Sequence, residues 1–279
     1  MRELDLLLVS KKVEELFIKA NKSLPCDIAD ALLTAQHNEQ GTAKSALNII
    51  NQNIIAAKEL NIPICQDTGL AVVFLEVGQD IHFVGGNLYD AINKGVEAAY
   101  VKGLLRLSVV NDPLIRENTN TNTPAIIHTK IVDGENLKIT VAPKGMGSEN
   151  MSGIRMLNPS DSKEGVINAV LDIVKNAGSN ACPPMVIGVG IGGNFEECAL
   201  LSKTALIRDI NTSNKNPFYK QLEDELLEKI NELNIGPQGF GGKTTALKVN
   251  IETLPTHIAG LPVAVNIGCY VNRHISEII

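Results

Sequence analysis

Five cysteines, at positions 26, 65, 182, 198 and 269, are the residues best equipped for chemistry in this sequence. They form no C-x-x-C pair and are odd in number, which argues against a disulfide framework and against a zinc ribbon. Cys65 in "PICQDTG", Cys182 in "NACPPMVIG" and Cys269 in "NIGCYVNRH" each stand where regular structure gives way to Gly, Pro, Asn or Asp. A thiolate at such a junction can project into a cleft. Cys198 lies inside the amphipathic run "FEECALLSKTAL" and Cys26 just precedes a helix start, so both read as small packing residues. Four thiolates saturate a [4Fe–4S] cluster, whereas three leave one iron with an open position that can act as a Lewis acid on a substrate oxygen. Cys65, Cys182 and Cys269 are far apart in the chain and can converge only through the fold.

A carboxylate substrate beside such a cluster needs cations and amide donors. Candidates are Gln66 and Asp67 next to the first cysteine, Arg106, the backbone N–H groups of "KGMGSEN" (144–150) and His257 in "LPTHIAGLPVAVNIGC". Each has an ordinary alternative: Arg106 as a helix C-terminal cation, Lys144 and its glycines as a plain turn, His257 as a satisfied core histidine.

Two glycine-rich stretches suggest nucleotide chemistry instead. Gly188, Gly190 and Gly193 in "MVIGVGIGGNFEE" satisfy G-x-G-x-x-G between a strand and a helix, with Asp209 downstream, and define the alternative of a dinucleotide-binding protein. Strand–helix alternation is not sustained on either side, as a doubly wound sheet would require. "GPQGFGGKTT" (236–245), aligned on Lys243, puts Pro237 where a phosphate loop needs its first glycine.

The elements that must carry these residues follow from periodicity. Apolar residues at helical spacing over 8–20 and 27–60, broken near Pro25 and Gly41, predict an initial helical segment. "LAVVFLEV" (70–77) reads as a buried strand, and 88–106 as a helix with Arg106 at its end. Cys65 thus lies in a helix-to-strand loop. Residues 107–124 are polar and proline-punctuated, a long functional or disordered loop. "AIIHTKIV" and "LKITVAP" are strands flanking the turn signal Asp133-Gly134, as in a hairpin. Helices are predicted at 163–176, 195–210 and 218–233, and strands at 245–254 and 261–267. These elements make an α+β protein, mixed β-sheets surrounded by helices, in a single compact domain over 1–279. With 44% hydrophobic residues over 279 positions the chain can bury a sizeable core. A net charge of −6 gives no footprint for nucleic acid, and "LDLLLV" (4–9) is too short for a signal core or membrane span. A cytoplasmic protein without a membrane or nucleic-acid partner is expected.

Taken together and in this order, "PICQDTG", "NDPLIREN" with "NTPAIIH", "KGMGSEN", "NACPPMVIGVGIGG", "GPQGFGGKTTAL" and "HIAGLPVAVNIGC" resemble the class I iron–sulfur fumarase and L-tartrate dehydratase family, in its N-terminal domain or alpha subunit. The resemblance covers nearly the whole chain. It implies Cys65, Cys182 and Cys269 as ligands of a [4Fe–4S] cluster with one iron not held by cysteine. It implies Gln66, Asp67, Arg106, Gly147 and His257 as residues holding a small dicarboxylate, with Asp67 and His257 as the candidate catalytic groups of this chain. Met146 and Tyr270 depart from the family pattern, which has glycine and frequently histidine there. The implied activity is a hydro-lyase reaction: hydration of fumarate to L-malate, as in the tricarboxylic acid cycle, is the first expectation, and dehydration of L(+)-tartrate to oxaloacetate the second. The threonine base and further Arg and Lys residues would belong to a beta subunit, giving a heterodimer or a dimer of heterodimers.

Overall fold

The computed structural model describes residues 1–279. Its helices are α1 (Leu6–Lys22), α2 (Cys26–Asn38), α3 (Gly41–Leu60), α4 (Leu88–Lys102), α5 (Met146–Glu149), α6 (Ser162–Ala177), α7 (Phe195–Ala205) and α8 (Pro217–Glu232). Its strands are β1 (Arg2–Asp5), β2 (Leu70–Gly78), β3 (Ile81–Val84), β4 (Ile126–Val132), β5 (Leu137–Lys144), β6 (Gly153–Leu157), β7 (Met185–Gly193), β8 (Ala246–Thr256), β9 (Leu261–Gly268) and β10 (Ile275–Ile278). This is the α+β arrangement of mixed sheets and helices that periodicity predicts. Two compact units can be distinguished: Met1–Pro25, Ile54–Met146 and Arg273–Ile279 form the first, Cys26–Asn53 and Gly147–Asn272 the second.

In the first unit a four-stranded sheet runs in the order β10-β5-β2-β4. The apolar stripe of α1, with Val9, Val13, Leu16 and Phe17, joins Ile92, Val96 and Tyr100 of α4 and the buried residues of β2 and β5 in one core. The Asp133-Gly134 turn does not make a hairpin. β2 lies between β4 and β5, parallel to the one and antiparallel to the other, and the turn wraps the end of β2, where Asp80 N–H donates to the Gly134 carbonyl. β2 is largely buried along its length and takes an interior place beside β5, because most of its residues on both faces are apolar. The short strands β1, β3, β6 and β10 were beyond the reach of periodicity. α4 also stops earlier than its pattern suggests, at Gly103, with Leu104 at φ 53°; Arg106 therefore lies in the extended segment beyond the helix.

The second unit is built on the sheet β6-β9-β7-β8. The sequence of β7, M-V-I-G-V-G-I-G-G, shows how its two faces are used. Met185, Ile187, Val189 and Ile191 enter a core with Val170 and Val174 of α6 and Leu226 and Ile230 of α8. Gly188 and Gly190 point the other way, to α7. A β-carbon on Gly188 would stand 2.1 Å from the Ser202 carbonyl oxygen, and one on Gly190 would stand 2.2 Å from that of Cys198. The helix backbone itself occupies the space that side chains would fill. These glycines therefore lie inside a strand and are covered by a helix, leaving no room for a pyrophosphate; this removes the structural basis of the dinucleotide reading.

Beside β8, Arg208 is held by Glu223 and Glu252, and also donates to the Asn250 side chain and the Ile251 carbonyl. Glu223 is 1% exposed and accepts in addition from the Ile251 and Asn214 amides. Removing one partner of such a buried pair leaves an uncompensated charge. Glu223→Ala should lower stability by about 3–5 kcal/mol, read from the denaturation midpoint, and Arg208→Met with Glu223→Leu should recover part of that loss.

Candidate functional site

Of the predicted site residues, Cys65, Gln66, Asp67 and Arg106 belong to the first unit, and Gly147, Cys182, His257 and Cys269 to the second.

In the first unit the segment from Cys65 to Gly69 forms a tight loop entering β2. Gln66 Oε1 accepts from the Cys65 thiol at 3.1 Å and from the Asp67 amide at 3.1 Å. Asp67 uses both carboxylate oxygens to shape the loop: Oδ1 accepts from Gly69 N–H at 3.0 Å and Oδ2 from Met146 N–H at 3.1 Å. Gly69 must be glycine: its φ is 80° and a β-carbon would stand 2.7 Å from the Lys144 nitrogen. Buried Tyr100 donates to the carbonyls of Thr68 and Gly69, the Asn122 side chain donates to the latter as well, and the Arg273 guanidinium donates to the carbonyl of Asp67. Burial raises the Tyr100 phenol well above the usual tyrosine value, against the opposing charge of Arg273. The hydroxyl is therefore a fixed donor at every working pH.

Arg106 reaches this loop through its backbone. Its amide donates to Thr68 Oγ1 at 2.9 Å, which brings an arginine that is distant in sequence beside the Cys65 loop. The residue is exposed, and its guanidinium makes no ion pair or side-chain hydrogen bond within the chain, so the fork is open to a ligand.

In the second unit β-sheet register does the gathering. β7 and β9 pair antiparallel with Val186 opposite Gly268, which sets the chain before β7 against the chain after β9. Cys182 occupies the first and Cys269 the second, and Tyr270 N–H donates to the Cys182 carbonyl at 3.2 Å. Cys182 is exposed, in a left-handed backbone conformation at φ 51°. The following Pro183 is fixed by Gln238, whose backbone amide and side-chain Nε2 both donate to its carbonyl, at 2.9 and 2.7 Å. The "GPQGFGG" stretch is thus a brace for the Cys182 turn rather than a phosphate loop. Gly147, in the one-turn helix α5, faces the Asn180 carbonyl just ahead of Cys182, 3.8 Å from where its β-carbon would be.

His257 is not brought to the cysteines within this chain. It is exposed in the turn between β8 and β9, with Nδ1 accepting from the Ala259 amide at 3.1 Å. The whole of β9, about 23 Å at the usual rise per strand residue, separates that turn from Cys269.

The structure contains no disulfide. No group of three or more His, Cys, Asp or Glu side chains is drawn tightly enough to hold a single metal ion; thiolates around a multi-iron cluster each bind a different iron and stand farther apart. The donor set fits the cluster in its chemistry alone: Cys65, Cys182 and Cys269 are each at least partly exposed outside helix and strand, and within the second unit the residue after Cys269 donates to the Cys182 carbonyl. Cys198 does not fit, since its thiol donates to the Gly190 carbonyl at 3.3 Å and burial pushes it up to about 11.

Sequence motifs identified the loops but missed their supports. Gln238, Asn122 and Arg273 lie inside the stretches "GPQGFGGKTT", "NTPAIIH" and "NIGCYVNRH" but were not singled out there, and Tyr100 lies in no motif.

The two units thus each present partly exposed cysteines on braced loops, the first with an open arginine beside them. The family model for fumarate hydratase (Fumerase) matches residues 10–277, and the chain belongs to that family. It is 42% identical over 273 residues, 95% of both chains, to a Methanocaldococcus jannaschii protein provisionally named L(+)-tartrate dehydratase subunit alpha. It is 33% identical to the L(+)-tartrate dehydratase subunit alpha of Escherichia coli K12 and to that of Shigella sonnei, covering 90% of this chain and 84% of each relative. The family is one of hydro-lyases. No helix is long and apolar enough to cross a membrane.

At pH 8 a thiol with its pKa near 11 is ionised in only about one molecule in a thousand. Cys198 should therefore be alkylated by iodoacetamide at least a hundredfold more slowly than exposed Cys26, as peptide mapping of the native protein would show.

Proposed function

We propose that this chain is the alpha subunit of a hydro-lyase that removes water from L(+)-tartrate, in the manner of the relatives that it matches over nearly their whole length. That match carries the reading, and it favours tartrate over the fumarate expected first. In the reaction one C–H and one C–O bond break on adjacent carbons, water leaves, and the enol that results becomes oxaloacetate.

Cys65, Cys182 and Cys269 are the thiolates that would hold a [4Fe–4S] cluster. When bound, the cluster would supply a Lewis acid for the departing hydroxyl through an iron that no cysteine ligates. This chain's own groups bind and orient the substrate. The open Arg106 fork matches a carboxylate bidentately, and the 144–150 loop brings the backbone of Gly147 to substrate oxygen, glycine there letting it approach. Gln66 lies beside the first thiol as a polar contact. Asp67 is engaged through both oxygens in shaping its loop, so we assign it to orientation and place the base that takes the proton in a beta subunit. His257 has no part here in this chain's own cysteine loops. The hydrogen removed is next to a carboxylate and is only weakly acidic, so the charge developing on that carboxylate has to be stabilised by Arg106 and the loop amides.

The test is anaerobic assay of the iron–sulfide-reconstituted chain, alone and with its beta subunit, on L-tartrate and on fumarate. Tartrate turnover only on mixing, with kcat/KM at least tenfold above that for fumarate, is expected. The chain alone should be slower on the order of a hundredfold or more for want of a base. Preference for fumarate would overturn the substrate, and full turnover by the lone chain would overturn the two-subunit reading.

Serine at Cys65, Cys182 or Cys269 should abolish the visible absorbance of the reconstituted protein, while Cys26→Ser and Cys198→Ala retain it. Loss in Cys198→Ala with retention in Cys182→Ser would reverse the ligand assignment. Arg106→Lys should keep the absorbance and raise KM, because an ammonium cannot reproduce the fork.

A further inference from the structure

The loop assigned above to substrate binding cannot stiffen itself. Met146 stands between Gly145 and Gly147, and α5 is a single turn; glycine contributes no side chain to packing and has the greatest backbone freedom of any residue. Rigidity has to be imposed from outside.

On the Gly147 side it comes from a closed polar ring. Glu149 Oε1 is 2.6 Å from Lys203 Nζ on α7, and Glu149 Oε2 accepts from Asn266 Nδ2 on β9 at 3.0 Å. Lys203 Nζ in turn reaches Asn266 Oδ1 at 3.4 Å, so each of the three groups bonds to the other two. Ser152 Oγ extends the ring, accepting from Asn266 Nδ2 at 3.2 Å and from the Ile267 amide at 3.0 Å. Asn266 is 5% exposed, and the Lys203 and Glu149 side chains are 19% and 26% exposed.

An exposed surface ion pair holds little, but this one is mostly buried and completed by a neutral amide that takes the carboxylate oxygen Lys203 leaves, so both oxygens are held. Its members belong to three elements: the glycine loop, the helix that covers β7, and the strand that runs into Cys269. We propose that Lys203, Glu149 and Asn266 form a latch that positions the glycine-loop amides against the strand leading to Cys269, and so sets the affinity for the dicarboxylate without touching it. The proposal rests on the substrate-binding role given to this loop under Proposed function. Lys203 is a positioning residue: its ammonium is taken up by Glu149 and Asn266.

The experiment compares the wild type with Lys203→Met, Glu149→Gln and Lys203→Arg, each reconstituted and assembled with the beta subunit. Amide hydrogen exchange of residues 145–149 reads the latch without any turnover. Exchange there should quicken at least tenfold in Lys203→Met and Glu149→Gln and stay near the wild-type rate in Lys203→Arg, which keeps the charge and the donors. In the same two variants KM for L-tartrate should rise at least tenfold with kcat within threefold, while visible absorbance remains that of the wild type. Unchanged exchange in Lys203→Met, measured on protein whose melting temperature shows it folded, would overturn the latch. Faster exchange with unchanged KM would overturn its part in affinity, and so would a fall in kcat alone. A wild-type enzyme inactive on both substrates would sink the functional reading yet leave the exchange measurement to decide the latch.

Discussion

The antiparallel register of β7 on β9 is the constraint from which the second unit's chemistry follows. Pairing Val186 with Gly268 fixes the two chain ends that carry Cys182 and Cys269, and the Tyr270-to-Cys182 hydrogen bond continues that pairing one step past the strands. A slip of one residue would turn every side chain of β9 to the opposite face and take Val263, Val265 and Ile267 out of the core. The same apolar burial that stabilises the sheet therefore determines where the thiols stand. Gln238 and the glycine loop act on an arrangement already fixed by the strands.

The first unit solves a similar problem by a different means. The Cys65 loop has no strand partner of its own and is held from outside by Tyr100, Asn122 and Arg273, which donate to its carbonyls, and from within by the side-chain oxygens of Gln66 and Asp67, which accept from its amides. Nearly every backbone group between Asp67 and Gly69 is thereby bonded, which suits a segment that has to keep a thiol in place while remaining open to solvent. Asp67 illustrates the economy of this design. A carboxylate next to a cysteine invites a catalytic reading, yet its two oxygens serve the backbone.

The reading from sequence succeeded where a residue type dictates its own surroundings. Long amphipathic helices and apolar strands were legible from periodicity, and the separation of Cys198 from Cys65, Cys182 and Cys269 was legible because a helical stripe and a Gly/Pro turn are different environments. It failed where the outcome depends on partners remote in the chain. The Asp133-Gly134 signal describes a turn correctly but cannot tell that β2 will occupy the space between its strands. "GVGIGG" describes small residues correctly but cannot tell a phosphate from the backbone of α7. Arg106 was placed at a helix end because nothing local foretells a left-handed Leu104.

The contact between α7 and the glycines of β7 also bears on how this sequence can change over time. Alanine is the smallest replacement available to glycine, and at Gly188 or Gly190 even that one carbon falls on a main-chain oxygen, which cannot adopt another rotamer as a crowded side chain can. Relief would require the helix to withdraw along its length, and Lys203, which sits on that helix, would withdraw with it. Drift at these two sites is thus closed to single substitutions. Lineages derived from this chain are free to vary the outer face of α7 while its inner edge stays fixed, and the covered strip of β7 would serve as a recognisable mark of descent after the surface has diverged.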